Sequence, residues 1–223
     1  NYSEYFTKVE QDPNGEEATN MINVLTTNHT FFMRESLHFD YMKNVALPWV
    51  KQHATSKKDV RIWSAAASTG EEPYAIAMVL KDFFGLDTQW NTQLLATDLS
   101  TRVLNHAIEG KYLAEQIAPL PDKWKRAHFT RISNEEYEVK KELKKDVVFR
   151  QFNLMDDIKF KGLFHIVFLR NVMIYFDEQT KRNLLNRIYN HMENGGFLFI
   201  GTTESIDKTG TNFKYVQPSV YRK

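Results

Sequence analysis

From residue 60 onward, hydrophobic and polar positions alternate between short apolar runs and amphipathic segments. The run at 60–65 predicts a strand, and residues 72–84 carry apolar side chains at the three- and four-residue spacing of a helix with one buried face. The pattern continues with predicted strands at 93–97, 147–152, 165–169, 197–202 and 213–221, and with predicted helices after Ser100 and at 178–192. Strands separated by helices predict an α/β fold, in which a mostly parallel sheet carries helices on both faces. Such a sheet binds ligands beyond the carboxyl ends of its strands.

Local signals add three details to this prediction. The pair Gly195-Gly196 is expected to end the helix at 178–192. Residues 213–221 are expected to form one final strand, antiparallel at the edge of the sheet. The helix after Ser100 is expected to bury four apolar side chains, namely Val103, Leu104, Ala107 and Ile108.

The first part of the chain departs from the alternation. Residues 1 to about 45 are polar to mixed, and we interpret them as helical. Because the chain begins at Asn1 in a pattern that already looks helical, we expect an upstream portion to be missing. A further helix is expected at 39–52, which Pro48 would kink or end.

A second departure lies at residues 111–146. This stretch contains two prolines and a charged helix candidate at 122–127. The segments at 129–132 and 137–141 then predict a small hairpin that is inserted into the main sheet.

Composition narrows the possible chemistry. The chain has 223 residues, of which 42% are hydrophobic, enough for one sizeable α/β domain with a packed core and an appendage. It has no cysteine, which excludes disulfides, thiolate zinc sites and a cysteine nucleophile. Its seven histidines show no metal-ligand spacing, so we expect no metal site. Chemistry must therefore rest on carboxylates, Arg, Tyr, Asn and a bound cofactor.

Charge and hydropathy limit the binding partners of the protein and the cell compartment in which we expect it. The 29 basic and 28 acidic residues give a net charge of +1, so no global basic field favours nucleic acid, and we expect no nucleic-acid partner. No apolar run approaches the roughly 18 residues that span a bilayer, and no signal peptide is visible. We therefore expect no membrane insertion and a cytoplasmic location.

The turn at 65–72 joins the first predicted strand to the next helix, which is where α/β proteins bind nucleotides. Its small residues let the backbone approach a ligand, and Gly70 permits a conformation closed to most other residues. The turn lacks G-x-G-x-x-G and places Glu71 and Glu72 where a phosphate would sit. A cofactor with a cationic end therefore fits better than a dinucleotide. The alternative is that the two carboxylates only stabilise the helix through their interaction with the positive end of its dipole, which contributes about 0.3–1 kcal/mol.

Two other strand ends carry candidate cofactor contacts. Asp98 ends the second strand, where a carboxylate can accept hydrogen bonds from both ribose hydroxyls of an adenosine cofactor. Its alternative role is to cap the helix that Ser100 also begins. Asn153 follows the strand at 147–152, and its amide could hydrogen-bond an adenine edge beside an apolar wall; alone, it would be a turn residue.

A charged residue and an amide directly follow the buried run at 165–169. Burying the polar side chains of Arg170 and Asn171 there would cost free energy unless they are paired or lie at the mouth of the sheet. The mouth of the sheet is the ligand site. Tyr175 could lie over the reacting centre, with its hydroxyl available to a substrate oxygen. In the alternative, these residues only satisfy one another structurally.

The segment at 27–35 mixes polar and aromatic residues too densely for a clean amphipathic helix or strand. Such a segment could close over a cofactor, with Arg34 facing an acidic substrate. The alternative, which spacing alone favours, is a capped helix start that buries Phe31 and Phe32 in the core.

Taken in order, six strings closely resemble the CheR family, the chemotaxis receptor methyltransferases that use S-adenosylmethionine (SAM). The strings are Thr-Asn-x-Thr-x-Phe-x-Arg-Glu at 27–35, Trp-Ser-Ala-Ala-x-Ser-Thr-Gly-Glu-Glu-Pro-Tyr at 63–74, Ala-Thr-Asp at 96–98, Phe-x-x-x-Asn-Leu at 149–154, Arg-Asn-Val-Met-Ile-Tyr-Phe at 170–176 and Gly-Thr-Thr-Glu-Ser at 201–205. The similarity spans nearly the whole chain, and the second and fifth strings are highly specific.

The resemblance implies a class I SAM-dependent methyltransferase, a Rossmann-like fold, at 46–223, with an antiparallel β-subdomain inserted at 111–146. Residues 1–45 would be the remnant of a truncated helical N-terminal domain and its linker. Arg34 and Tyr175 would flank the transferred methyl group. The implied cofactor contacts are Asn28, Thr30, Arg34, Glu71 or Glu72, Asp98, Asn153, Leu154, Arg170 and Asn171.

The implied activity is that of a protein-glutamate O-methyltransferase, which methylates glutamate side chains on the cytoplasmic helices of methyl-accepting chemoreceptors. The products would be a γ-methyl ester and S-adenosylhomocysteine (SAH). Family members that tether to a receptor's C-terminal peptide are expected to use a longer, glycine-containing loop than the short link after Ile132, so we expect no need for that tether. Two alternatives stay open: a methyltransferase of the same fold with another substrate, and a noncatalytic cofactor-binding signalling module.

Overall fold

The computed structural model describes residues 2–12, 15–25, 29–54, 58–85, 89–207 and 210–223. The helices are α1 (Tyr2–Gln11), α2 (Glu16–Leu25), α3 (Leu37–Tyr41), α4 (Leu47–His53), α5 (Glu71–Phe84), α6 (Thr101–Glu109), α7 (Ala114–Ile117), α8 (Asp122–His128), α9 (Lys141–Lys144) and α10 (Glu178–Asn190). The strands are β1 (Ile62–Ser64), β2 (Leu94–Asp98), β3 (Lys111–Leu113), β4 (Phe129–Arg131), β5 (Glu136–Val139), β6 (Val147–Gln151), β7 (Phe164–Leu169), β8 (Met192–Ile200), β9 (Lys214–Gln217) and β10 (Val220–Arg222). A π-helical turn spans Met42–Ala46, and a short 3-10 helix spans Met173–Tyr175.

The main sheet has seven strands in the order β6-β2-β1-β7-β8-β10-β9. The first five of these strands pair in parallel, whereas β10 is antiparallel to both β8 and β9. The order reverses between β1 and β7, and ligands bind beyond the carboxyl ends of the strands at such a reversal. The prediction of a mostly parallel α/β sheet is therefore confirmed.

Both faces of the sheet are covered by helices. Successive residues of a strand point to opposite faces, and β7 shows this directly: Ile166 and Phe168 belong to one buried cluster, whereas Val167 and Leu169 belong to the other. The first cluster includes residues of α3, α4 and α5, and the second includes residues of α10. The middle strands are therefore apolar on both sides, as their continuous apolar runs require.

Local signals set the ends of the helices beside the site. The Ser100 hydroxyl caps α6 by accepting from the Val103 amide, and the Asp177 carboxylate caps α10 by accepting from the Thr180 amide. Three of the four side chains expected to be buried in α6 are buried, but Ile108 is 52% exposed, so that prediction is wrong. Ile108 is the last residue but one of α6.

The helix expected at 39–52 forms as α3, the π-helical turn and α4 in direct succession. Pro48 lies in the first turn of α4, immediately after the wide turn, so the chain continues as a helix past it. Phe32 and Phe39 belong to the same buried cluster as α5. The division of the chain at residue 45 stays a prediction.

Two predicted boundaries at the end of the chain are wrong. Helix α10 ends at Asn190, and Gly195-Gly196 lies inside β8. Strand β8 already pairs with β7 at Met192, and the register shifts before Phe197, because the two glycines form an irregularity in the ladder.

The final strand is likewise two strands, β9 and β10, which form a hairpin. Ser219, in the turn, has a φ of 62°.

The insertion is a three-stranded antiparallel sheet in the order β3-β5-β4 rather than a hairpin alone. Strand β3 was missed because only Tyr112 of its three residues is buried. The Tyr112 hydroxyl donates to the Thr69 carbonyl at 2.7 Å, so the insertion is bonded to the turn between β1 and α5.

No helix in the described parts of the chain combines the length and apolar character that crossing a bilayer requires.

Candidate cofactor and substrate cleft

A cleft of about 550 Å³ opens beyond the carboxyl ends of the central parallel strands. Its volume is in the range typical of small-molecule sites. Nine of the eleven predicted site residues line it, namely Thr30, Arg34, Glu72, Asp98, Asn153, Leu154, Arg170, Asn171 and Tyr175. Glu71 does not line the cleft, and Asn28 lies outside the described residues.

The two adjacent carboxylates at the start of α5 have different surroundings. Glu72 lines the cleft, where its Oε1 accepts from the Ser64 hydroxyl and its Oε2 from Arg170 Nη1, both at 2.8 Å. Glu71 is 1% exposed and accepts from the Thr69 hydroxyl at 2.7 Å. Burial raises the pKa of both carboxyls, and in Glu72 the Arg170 guanidinium opposes that rise. Only Glu72 is therefore placed to meet a ligand in the cleft.

Asp98 joins the ends of two loops at the edge of the cleft. Its Oδ2 accepts from the Ser68 amide at 2.9 Å and its Oδ1 from the Ser100 amide at 3.0 Å. Burial raises the pKa of this carboxyl, and these backbone hydrogen bonds oppose the rise. Each oxygen has a second lone pair, so Asp98 can shape the loops and also accept from a ligand diol. The two roles left open by the sequence are compatible.

Arg170 is a buried cation held between two carboxylates. Its side chain is 3% exposed, and it donates to Glu72 and also faces Glu35, with Nη2 at 3.2 Å from the Glu35 Oε2. It also donates to the Arg34 carbonyl. A buried guanidinium with partners on both sides avoids the cost of an unpaired charge. The side chains of Arg170, Glu72 and Glu35 together have a formal charge of −1, which suits a cationic ligand.

Asn171 has an unusual backbone conformation that the Glu204 carboxylate holds in place. Its φ is 56°, in the left-handed region that L residues rarely adopt, and Ser68 across the cleft has a φ of 48°. Glu204 fixes the Asn171 loop by accepting from the amides of Asn171 and Met173, at 2.9 and 2.7 Å. Such backbone strain concentrates at ligand sites, where surrounding contacts over-determine it.

The mouth of the cleft holds the two residues expected to act on substrate. Arg34 donates to the His29 carbonyl at 2.7 Å, and Tyr175 is 57% exposed at the end of the 3-10 helix. On another wall, Leu154 is nearly buried, and the Asn153 Oδ1 accepts from the Met155 amide at 2.9 Å. The Asn153 carbonyl oxygen thus shapes the loop, while its amide nitrogen remains the group suited to an adenine acceptor.

Three polar residues of the site were not identified from the sequence. Glu35 and Glu204 stand in strings that carry the family resemblance, yet neither was assigned a role, and Ser64 was not singled out. The partners of Glu35 are distant in the chain, since Glu35 and Arg170 are separated by 135 positions. The signal available was that a buried arginine, as expected for Arg170, needs an acidic partner.

The residues present fit SAM. Phe152 and Leu154 offer an apolar wall for an adenine ring, the Asp98 carboxylate offers acceptors for a ribose diol, and the Glu72 carboxylate offers a partner for an ammonium group. Within the described residues, no group of three or more His, Asp and Glu side chains could hold a metal ion.

Comparison with known proteins agrees with this chemistry. The family model described as "CheR methyltransferase, SAM binding domain" matches residues 28–222. A chemotaxis protein methyltransferase of Borreliella burgdorferi is 39% identical over 227 residues, which cover 100% of this chain and 80% of the relative. Chemotaxis protein methyltransferase 2 of Pseudomonas aeruginosa is 37% identical over 99% of this chain and 78% of the relative. The chain therefore belongs to the CheR methyltransferase family and carries the SAM-binding domain of that family on the expected class I fold.

Proposed function

We propose that this chain methylates glutamate side chains on the cytoplasmic helices of methyl-accepting chemoreceptors, forming γ-methyl esters and SAH. The observation that carries the proposal is that one cleft holds both the acidic groups suited to a cationic cofactor and, at its mouth, Arg34 and Tyr175. The names of the two relatives, both chemotaxis protein methyltransferases, support the same assignment.

SAM supplies an electrophilic methyl group, and its transfer to a carboxylate oxygen leaves a neutral thioether. The chain's residues have the task of positioning. A glutamate carboxylate is ionised at neutral pH, so no general base is needed. Holding the attacking oxygen in line can contribute up to roughly 7–11 kcal/mol to the lowering of the barrier.

Arg34 and Tyr175 are suited to hold the substrate carboxylate. A guanidinium has five N–H donors in a planar fork, and Arg34 uses one of its nitrogens on the His29 carbonyl. The remaining donors match the geometry of a carboxylate. The exposed Tyr175 ring can place its hydroxyl against the second oxygen or the approaching chain.

We also propose that methylation takes place in the cytoplasm without a receptor C-terminal tether. The link between β4 and β5 runs from Ile132 to Glu135 and contains no glycine. Arg131 donates to the carbonyls of Ser133 and Asn134, which closes the link into a compact turn. The link is thus shorter than the glycine-containing loop expected in members that bind a receptor's C-terminal peptide, and this supports the proposal that no tether is used.

The test is incubation of the protein with radiolabelled SAM and receptor-containing membranes. A base-labile label released as methanol supports the glutamyl ester, because such esters hydrolyse in mild base. A base-stable label would indicate another substrate chemistry, and SAM binding without any transfer would indicate a noncatalytic module; either result overturns the proposal. Equal labelling of receptors with and without their C-terminal peptide is expected if no tether is used.

A further inference from the structure

Residues 29–36, which we term the arm, hold Arg34 at the mouth of the cleft by means of an unusual backbone. Met33 and Glu35, on either side of Arg34, have φ values of 61° and 55°. This left-handed conformation costs a residue with a side chain roughly 1–2 kcal/mol, so local preference does not maintain it. Contacts with the rest of the molecule must hold the arm in place.

Glu35 makes those contacts. Its Oε1 accepts from the amide and the hydroxyl of Thr202, at 3.1 and 3.0 Å, and from Asn171 Nδ2 at 3.3 Å. Its Oε2 accepts from Arg170 Nε at 3.3 Å. These partners follow β7 and β8, so one carboxylate bonds the arm to the ends of two adjacent strands.

The Glu35 side chain lies outside the lining of the cleft. Glu35 is 12% exposed and does not line the cleft, whereas Arg34, Arg170 and Asn171 do. Arg170 also donates to the Arg34 carbonyl, so the peptide that links Arg34 to Glu35 is held at its carbonyl as well as through the Glu35 side chain. Burial raises the pKa of Glu35, but Arg170 and the Thr202 and Asn171 donors outweigh it, and the pKa is lowered overall. Glu35 is therefore an anion at neutral pH.

We propose that Glu35 is a positioning residue for methyl transfer: it fixes the arm against the ends of β7 and β8 and thereby sets the place of Arg34. The inference rests on the proposed function, because that function gives Arg34 its role at the substrate carboxylate. Its mode of action is indirect, because Glu35 does not line the cleft, whereas Arg34 does.

Glu35→Gln is the main variant. An amide has the same shape, but its nitrogen cannot accept from the donors that converge on the second oxygen. We expect kcat to fall by roughly 10- to 100-fold, the effect of displacing a positioning group by about 1 Å, while SAM affinity falls by less. Asp40→Asn is the matched control, because Asp40 is an exposed carboxylate on α3; its kcat should equal that of the wild type.

A double-mutant cycle separates positioning from general structural support. If Glu35 acts through Arg34, Glu35→Gln lowers single-turnover methyl transfer in the wild-type background but has little further effect in an Arg34→Ala background. Equal fold-losses in both backgrounds would overturn the proposal. If the Gln variant does not fold, Glu35→Asp takes its place in the cycle, because it keeps the charge but shortens the side chain.

Hydrogen exchange tests the arm without any activity. In the protein alone, the amides of the arm, including the Arg34 amide that donates to the Phe31 carbonyl, should exchange faster in Glu35→Gln than in Asp40→Asn. Unchanged exchange would overturn the role of Glu35 even if receptor methylation is demonstrated. Faster exchange would support it even if the substrate proves to be different, so the two proposals can fail separately.

Discussion

Replacement of each of the adjacent carboxylates by its amide, Glu72→Gln and Glu71→Gln, should identify the one that meets the ammonium end of SAM. Glu72 lines the cleft and accepts from Ser64 and Arg170, whereas Glu71 is turned to the Thr69 hydroxyl. A carboxylate has about four acceptor positions, so two donors leave Glu72 able to accept from a ligand. We therefore expect only Glu72→Gln to weaken SAM binding.

The size of the effect follows from the charge that is lost. A hydrogen bond to a charged group contributes about 1.5–3 kcal/mol, which corresponds to roughly 10- to 150-fold in the dissociation constant. Arg170 keeps Glu35 as a partner at 3.2 Å, so Glu72→Gln leaves no unpaired buried cation and the fold should persist. Glu71→Gln should change SAM affinity by less than about threefold, since a neutral amide can still accept from the Thr69 hydroxyl.

Titration calorimetry with three ligands separates an ammonium contact from a sulfonium contact. SAM and SAH both carry the ammonium group, so both should bind Glu72→Gln more weakly by a similar factor. Methylthioadenosine lacks the amino-acid end and should bind the variant and the wild type alike. The assignment would be refuted if Glu71→Gln gave the larger loss, or if methylthioadenosine lost as much affinity as SAM.

Three further substitutions test other parts of the structure. Asp98→Asn should weaken SAM binding by roughly 10-fold or more through loss of a charged acceptor, and unchanged binding in calorimetry would exclude the ribose role. Gly70→Ala should lower the free energy of unfolding by about 2–4 kcal/mol in denaturant titrations, because φ is +99° and a Cβ would meet the Tyr112 hydroxyl at 2.7 Å. A loss of less than about 1 kcal/mol would contradict the steric argument. Burial chiefly lowers the pKa of His38 from 6.5 to about 4, so the unfolded chain binds more protons in this interval and stability should fall by about 3 kcal/mol as pH drops through it. His38→Phe should flatten that part of the stability-pH curve, and an unchanged slope would assign it to other groups.

The central strands and most of the site could be predicted because their signals are local. A continuous apolar run identifies β7, and polar residues directly after it, such as Arg170, must lie at the mouth of a parallel sheet. The sheet topology then brings the ends of separate strands together. This is why nine of the predicted site residues share one cleft without any distance information in the sequence.

The errors arose where tertiary pairing overrides a local signal. Gly195-Gly196 resembles a helix end, but both residues lie in β8, where the Gly195 amide donates to the Lys223 carbonyl and the Gly196 carbonyl accepts from the Lys223 amide. The turn between β9 and β10 is Pro218-Ser219, and Pro218, which cannot donate to a strand ladder, was a local signal against a single strand at 213–221 that the prediction did not use. Glu35 could not be assigned because the groups that donate hydrogen bonds to its carboxylate lie more than 130 positions away.

The hydroxyl of Tyr112 has a consequence for engineering the inserted sheet. Tyr112 belongs to β3 but donates to the Thr69 carbonyl, in the turn that leads to Glu72. A chimera that exchanges residues 111–146 for a related insertion would therefore also exchange a support of the cofactor turn. Such a chimera should retain Tyr112. The Tyr112→Phe variant of the original chain, which lacks only this hydrogen bond, would show whether a change in the SAM affinity of the chimera comes from the bond or from the rest of the exchanged sheet.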